Sequence, residues 1–389
     1  MDGSIPAGAG PGDIVLGERG LELPLPDGTR AYFNYYWLRD NCPTSFDRET
    51  RERSYDVFQD PSFDDAGPLP AGARLDGAEA DRVLEIVWRE SGHVTRHRLD
   101  WLAPYASGLP RPDPAELPRR LWYADHYPKI ARFSQPALKA DRTLVGRWAK
   151  ALLEDGVAIV TDMPDSDEGL TETCRLLGQV RPTFFGEYFD VRVHADPVNL
   201  AYTAKALEMH TDVPAEELAP GVQFLHCRAN SVAGGDNLIL DGAAVAEDFR
   251  RAHSEDFTLL AETEIPFFWE HEGFDIRARQ RVIELDRFGA VAGLTISQHL
   301  LDAIDLPQAL LDRYYPALRR FGRWLRDPKY LVRYRLKAGE CVVFDNHRVV
   351  HGRDAYVAES GERYLRGTYV DRGELRSTYR AFVSKGRFA

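Results

Sequence analysis

Two side chains able to bind a metal, His210 and Asp212, stand two residues apart in His210-Thr211-Asp212. A third, His351, follows about 140 residues later in Asp345-Asn346-His347-Arg348-Val349-Val350-His351-Gly352. Alternate residues of a β-strand project from one face. The spacing therefore predicts His210 and Asp212 directed together into an interior, with His351 delivered by a strand on the opposite side. A fold that closes distant strands over one shared space, as a β-barrel does, meets that demand. Two imidazoles and one carboxylate on one face of an octahedral ion leave the remaining positions open to other molecules. The tripeptide alone is weak evidence, because His-x-Asp also occurs in surface turns and helix caps, and an isolated histidine is usually structural.

Arg363 adds direction to the pattern. It lies twelve residues past His351, in Arg363-Tyr364-Leu365-Arg366-Gly367-Thr368-Tyr369. A guanidinium there can grip a carboxylate through two parallel hydrogen bonds. A metal triad followed by a carboxylate clamp is the layout of the iron(II)- and 2-oxoglutarate-dependent oxygenases. Further segments match in order: Trp37-Leu38-Arg39-Asp40-Asn41-Cys42 and Asp100-Trp101-Leu102, then Asn199-Leu200-Ala201-Tyr202-Thr203, Gly221-Val222-Gln223-Phe224-Leu225-His226-Cys227, Gly234-Gly235-Asp236 and Phe344-Asp345-Asn346. On these segments the chain resembles, over most of its length, the γ-butyrobetaine hydroxylase branch of the taurine dioxygenase-like superfamily.

The resemblance implies that His210, Asp212 and His351 hold iron(II) and that Arg363 binds the distal carboxylate of 2-oxoglutarate, with Leu225 and Asn237 in the same site. Nearby Arg366 is then a solvent-facing strand residue. It also implies an aromatic cage for a trimethylammonium group, at Phe185, Phe189, Tyr202 and Tyr369. A quaternary ammonium has no N–H to donate, so ring faces hold it instead. Aromatics near strands are more often core, and the cage rests on four matches coinciding. At the acid end of the substrate, the family meets a carboxylate with two Asn side chains. Asn199 matches one, Ser297 stands in place of the other, and Gln298 or His299 can add donors. The shorter serine leaves room for a bulkier acid, so the expectation leans to 2-(trimethylammonio)ethylphosphonate, hydroxylated beside phosphorus, over γ-butyrobetaine. A water bridging Ser297 to a carboxylate is the plainer alternative.

Animal members of the family often hold zinc in the small domain through three Cys and one His. Here Cys42 and His93 occupy matching places, while Thr44 and Asp47 stand where two Cys would be. The set falls short of the four ligands that close a structural site, and no zinc is expected.

The remaining composition sets bounds. A chain of 389 residues holds one large and one small domain. A formal charge of −12 argues against nucleic-acid binding. Four scattered Cys without a Cys-x-x-Cys suggest a reduced compartment. With no signal peptide or long apolar run, a cytoplasmic protein without a membrane partner is expected, and the resemblance implies a homodimer. The substrates are then a small zwitterion, O2 and 2-oxoglutarate. A non-catalytic metal-binding scaffold is the competing class, disfavoured by the intact triad and Arg363. Halogenation is disfavoured because Asp212 supplies the carboxylate that halogenating relatives lack.

Along the chain, short alternating runs predict strands at Arg30–Trp37, Val83–Arg89 and His93–Leu99. Leu109-Pro110-Arg111-Pro112-Asp113-Pro114 is a breaker cluster. The expected organisation is a small β-rich domain over 1–108, a linker over 109–121 and a catalytic domain over 122–389. Asp141 is set to cap a helix running to Leu153. Val157–Thr161, Asn199–Tyr202, Val222–Cys227, Asn237–Asp241, Tyr330–Leu336, Glu340–Asn346 and Tyr364–Val370 look like strands. Asp167–Leu177, Ala243–Ser254 and Pro307–Trp324 look helical. Many short strands with a few flanking helices favour a mainly β fold, a distorted double-stranded β-helix (jelly roll), over a doubly wound sheet.

Overall fold

The computed structural model describes residues 13–60, 63, 67–78, 81–193, 200–271 and 273–384. The chain divides into two compact units, Met1–Asp113 and Pro114–Ala389. No helix among the described residues is long and apolar enough to cross a membrane.

The described residues of the first unit form two three-stranded antiparallel sheets. One contains β1 (Val15–Leu16), β2 (Gly20–Pro24) and β3 (Arg30–Asn34); the other contains β4 (Pro70–Asp76), β5 (Val83–Trp88) and β6 (Val94–Arg98). Leu21, Leu23 and Phe33 pack with Leu84, Ile86 and Trp88 in one core. The strand expected over Arg30–Trp37 stops at Asn34 and becomes helix α1 (Tyr35–Asp40). The Asn34 side chain accepts from the Trp37 N–H, and this N-cap starts the helix despite the strand-forming aromatics.

The second unit carries β7 (Ala131–Ser134), β8 (Val157–Thr161), β9 (Phe189–Val191), β10 (Leu207–His210), β11 (Val222–Asn230), β12 (Ala233–Gly234), β13 (Asn237–Asp241), β14 (Glu264–His271), β15 (Phe274–Arg281), β16 (Ile283–Leu285), β17 (Val291–Leu294), β18 (Val332–Tyr334), β19 (Cys341–Asp345), β20 (Val349–Arg353), β21 (Tyr356–Val357) and β22 (Arg363–Val370). Two sheets dominate. A six-stranded sheet has the order β7-β8-β19-β11-β22-β9, and a four-stranded sheet the order β10-β20-β13-β18. Every pairing in them is antiparallel except β7 with β8.

Period-two side-chain alternation explains why these segments pack as layers. In β8, Val157 and Ile159 join Val342, Phe344, Leu225 and Leu365 in a core that also takes Ile239 and Val332 from the four-stranded sheet. Ala158 and Val160 face the other way, against Trp148 and Leu152 of a helix at Arg142–Asp155 and Leu375 and Tyr379 of a helix at Arg372–Val383. A strand buried on both faces reads as a continuous apolar run, and each such side chain stabilises by about 1.5–3 kcal/mol. The far side of the four-stranded sheet carries Leu240 and Val350 into a third core, with Phe249 and Phe321 of the helices Gly242–Ala252 and Gln308–Trp324. Asp141 caps the helix at Arg142–Asp155 by accepting from the Thr143 N–H at 2.7 Å.

Two further differences from expectation bear on the site. Leu200–Tyr202 is a short 3-10 turn, not a strand. The hairpin of β14 and β15 was not foreseen; its alternating Ile265, Phe267 and Trp269 are buried and are the signal that marks it.

Candidate metal and substrate site

His210 ends β10 and lies opposite His351 of β20 in the ladder, while Ile239 of β13 flanks His351 on its other side. The imidazole centroids are 4.3 Å apart. Asp212 does not share His210's strand. β10 ends at His210, because the next amide, Thr211 N–H, turns to donate to the Ile296 carbonyl at 2.7 Å. Asp212 is placed instead by Asn346, whose side-chain oxygen accepts from the Asp212 N–H at 2.7 Å and whose amide nitrogen donates to the Asp212 carbonyl at 3.1 Å. Val213 follows with φ of 54°. A β-branched residue held there costs about 1–3 kcal/mol, and such strain persists where surrounding contacts enforce it.

The three side chains converge. Asp212 Oδ1 lies 3.2 Å from His210 Nε2 and 3.6 Å from His351 Nε2. Among the described residues they form the one group of three His, Cys, Asp or Glu whose ligand atoms all lie within 4.8 Å of one another. His210 Nδ1 sits 2.7 Å from the Glu208 carbonyl. A carbonyl only accepts, so Nδ1 carries the proton and Nε2 keeps its lone pair for a metal. Burial, with His210 beside it, pulls the His351 imidazole down to about 3, so it is neutral near pH 7. Burial alone would raise the Asp212 carboxyl, but His351, His210 and the Tyr369 hydroxyl outweigh it and hold it well below the usual carboxylate range. Two imidazoles with their Nε2 atoms turned to one carboxylate match the donor set of an iron(II) centre with open positions.

Arg363 is buried at the start of β22. Its Nη2 donates to Asn237 Oδ1 at 3.3 Å, whereas its Nε and Nη1, and the Asn237 Nδ2, are buried without a partner among the described residues. No carboxylate among the described residues pairs with it. Burial and the neighbouring Arg353 pull the guanidinium down to about 10, still charged at neutral pH. A buried cation without a counter-charge is costly, and a dicarboxylate such as 2-oxoglutarate provides one. Leu225 of β11 lies opposite Gly367 of β22. Arg363 and Tyr369 therefore bracket one face of β22, and the Tyr369 hydroxyl reaches Asp212 Oδ2 at 2.7 Å. Arg366 is one residue out of phase with them; it pairs with Asp190 at 3.3 Å.

A cavity of about 50 Å3 opens beside the triad, with Phe185, Phe189, Tyr202 and Tyr369 in its wall together with His210 and Asp212. The Phe189 and Tyr369 rings stack at 5.3 Å. Gly367 permits this, since a Cβ there would lie 2.2 Å from the Phe189 ring. Arg353, buried in β20, binds the carbonyls of Ala201, Thr203 and Lys205 at 3.2, 2.7 and 2.6 Å and so anchors the segment carrying Tyr202.

Three further ring-bearing wall residues had no place in the expected cage: Phe184, Trp269 and His299. Phe184 is 4.1 Å from Phe185, and Trp269 is 5.3 Å from both. Trp269 arrives on the unforeseen β14. His299 meets His210 edge-on at 5.0 Å, and burial followed by His210 lowers its imidazole to about 4. The acid end differs from expectation. Ser297 is buried with its hydroxyl 3.4 Å from His299 Nδ1, Gln298 is exposed, and neither lines the cavity. Asn199 lies outside the described residues.

In the first unit, Cys42 Sγ is 3.1 Å from Thr44 Oγ1 and 3.4 Å from His93 Nε2, and Thr44 Oγ1 is 3.2 Å from the same nitrogen. Asp47 is occupied elsewhere, its carboxylate accepting from the Glu49 and Thr50 N–H groups at 2.9 and 2.8 Å.

Comparison with known proteins gives consistent results. The sequence profile described as "Taurine catabolism dioxygenase TauD, TfdA family" matches residues 109–369. A γ-butyrobetaine dioxygenase from Pseudomonas sp. (strain AK-1) is 32% identical over 363 residues, 92% of this chain and 92% of that protein. The γ-butyrobetaine dioxygenase of Homo sapiens is 27% identical, covering 90% and 91%. The mitochondrial trimethyllysine dioxygenase of Rattus norvegicus is 27% identical, covering 92% and 85%.

Proposed function

We propose that this chain, which belongs to the TauD, TfdA family of dioxygenases, hydroxylates a small trimethylammonium acid, with γ-butyrobetaine the first substrate to test. The observation that carries this reading is a wall of aromatic rings sharing one cavity with two members of the His-Asp-His triad. The lean towards 2-(trimethylammonio)ethylphosphonate gives way to its alternative. The relatives described above are named for γ-butyrobetaine and trimethyllysine, and the Gln298 invoked for a larger anion is exposed.

In this reading the two main sheets are the halves of a distorted double-stranded β-helix. His210, Asp212 and His351 hold iron(II), and Arg363, with Asn237 and Leu225, holds 2-oxoglutarate. When bound, iron and 2-oxoglutarate together supply the oxidant that places one oxygen atom of O2 in a substrate C–H bond, leaving succinate and CO2. The protein's own part is positional. Arg363 fixes the register of the co-substrate through its two unmatched donors. Phe185, Phe189, Tyr202 and the ring of Tyr369 take the quaternary ammonium, each desolvated contact contributing about 0.5–2 kcal/mol. The neutral His299, steadied by Ser297, donates to the substrate's acid. Gripping a short zwitterion at both ends selects the carbon that faces the metal.

The proposal includes a cytoplasmic homodimer without nucleic-acid or membrane partners, checked by sedimentation. The deciding experiment is turnover of γ-butyrobetaine, trimethyllysine and the phosphonate side by side, followed by mass gain of one oxygen and succinate release. Faster turnover of the phosphonate reverses the substrate order. No succinate with any trimethylammonium acid removes this substrate class and revives the scaffold reading.

A further inference from the structure

We propose that the Tyr369 hydroxyl is a positioning group of the metal site, so that one residue serves both the metal and the substrate cation. The Asp212 carboxylate has two oxygens with different surroundings. Oδ1 faces both imidazole Nε2 atoms, at 3.2 and 3.6 Å. Oδ2 accepts from the Tyr369 hydroxyl at 2.7 Å. Rotation about the Cβ–Cγ bond would otherwise let either oxygen, or both, turn towards an ion. The phenol engages one and leaves the other, so the carboxylate offers a single ligand atom and the remaining positions stay open. The backbone of Asp212 is already clamped by Asn346, which fixes where the side chain starts but not how its carboxylate is turned.

Tyr369 is well placed to be rigid. It is 2% exposed, lies in β22 opposite Gln223 of β11, and its carbonyl accepts from the Arg181 N–H at 2.9 Å. Its ring is stacked on Phe189 with 28° between planes. The ring is thus offered to the cavity while the hydroxyl is committed to the metal-binding carboxylate. Hydrogen bonds to ligating carboxylates orient them, and their loss costs about 10–100-fold in metal affinity.

Tyr369→Phe removes the hydroxyl and keeps the ring; Phe189→Leu removes the stacked neighbour and keeps the hydroxyl. Apo full-chain protein and both variants are titrated with Mn2+, with free Mn2+ counted by its electron paramagnetic resonance signal. Circular dichroism checks that each is folded. Tyr369→Phe is expected to raise the Mn2+ dissociation constant about 10–100-fold, while Phe189→Leu keeps the parent value. With Mn2+ and 2-oxoglutarate saturating, Tyr369→Phe is expected to retain γ-butyrobetaine binding and Phe189→Leu to weaken it. Parent-like Mn2+ affinity in Tyr369→Phe overturns the proposal, and so does an equal loss in Phe189→Leu, which would assign the effect to packing. The Mn2+ titration contains no organic substrate, so its outcome is independent of which acid the enzyme hydroxylates.

Discussion

Each unit of this protein holds a knot of three polar side chains in mutual contact, yet the two knots are chemically unlike. Cys42, Thr44 and His93 lie within 3.1–3.4 Å of one another. Thiol, hydroxyl and imidazole can satisfy each other there by hydrogen bonding, and the nearby Asp47 is spent on its own turn. His210, Asp212 and His351 are about as close, but they include an ionised carboxylate facing two imidazoles that burial or hydrogen bonding holds ready as lone-pair donors. A strained Val213 and a clamping Asn346 keep them so. Proximity alone does not make a metal centre. Donor charge does, together with surroundings that leave a debt only an ion can settle.

The comparison is broken most directly at its stronger side. Asp212→Ala or His210→Ala is expected to lose bound iron and to lower hydroxylation by at least about 100-fold, read by metal content and succinate release. Retention of iron by either variant would place the ion elsewhere. Next in size is Arg363→Met, which removes the unmatched guanidinium. Loss of one partner of a buried, hydrogen-bonded charge pair costs about 2–5 kcal/mol, so the 2-oxoglutarate needed for half-maximal turnover should rise about 30-fold or more while iron is retained. An unchanged requirement would assign the co-substrate to another clamp, with Arg353 the neighbour to try. Tyr202→Ala should weaken the trimethylammonium substrate by about 2- to 30-fold, from one lost ring contact of about 0.5–2 kcal/mol. Equal weakening of 2-oxoglutarate would mean general damage to the cavity.

The smallest effect belongs to the other knot. His93→Ala should cost about 1 kcal/mol of stability, the scale of a lost hydrogen bond, and leave iron content and turnover unchanged. Elemental analysis of the iron-loaded parent should find no zinc; one zinc per chain besides the iron would show that Cys42, Thr44 and His93 were ligands after all and erase the contrast.

The legibility of the site followed the range of the forces involved. The strand Asn237–Asp241 stands where its alternation put it, and Asp141 caps its helix, because both depend on residues a few positions apart. The turn at Asn34 was missed, since a single side-chain cap outweighed an aromatic run suited to a strand. Trp269 was missed because Pro266 sits inside β14 and masks an otherwise plain alternation. His299 was named only as an added donor, and the structure brings it to the cavity wall while Ser297 stays behind it. That distinction depends on the path of the chain after β17, which no local periodicity encodes.

By itself the sequence determined the chemistry on offer: two histidines, an aspartate, an arginine and a set of aromatics whose types and order suit one kind of oxygenase. Residue type fixes what an atom can donate or accept wherever it ends up. Tertiary structure alone decided how those atoms are aimed. Asp212 reaches the imidazoles through Asn346, 134 residues away, and not through the strand its spacing suggested. Tyr369 turns its hydroxyl to that same carboxylate across 157 residues. Such aim comes from hydrogen bonds closed between distant strands once their apolar faces are buried, and it exists only in the folded chain.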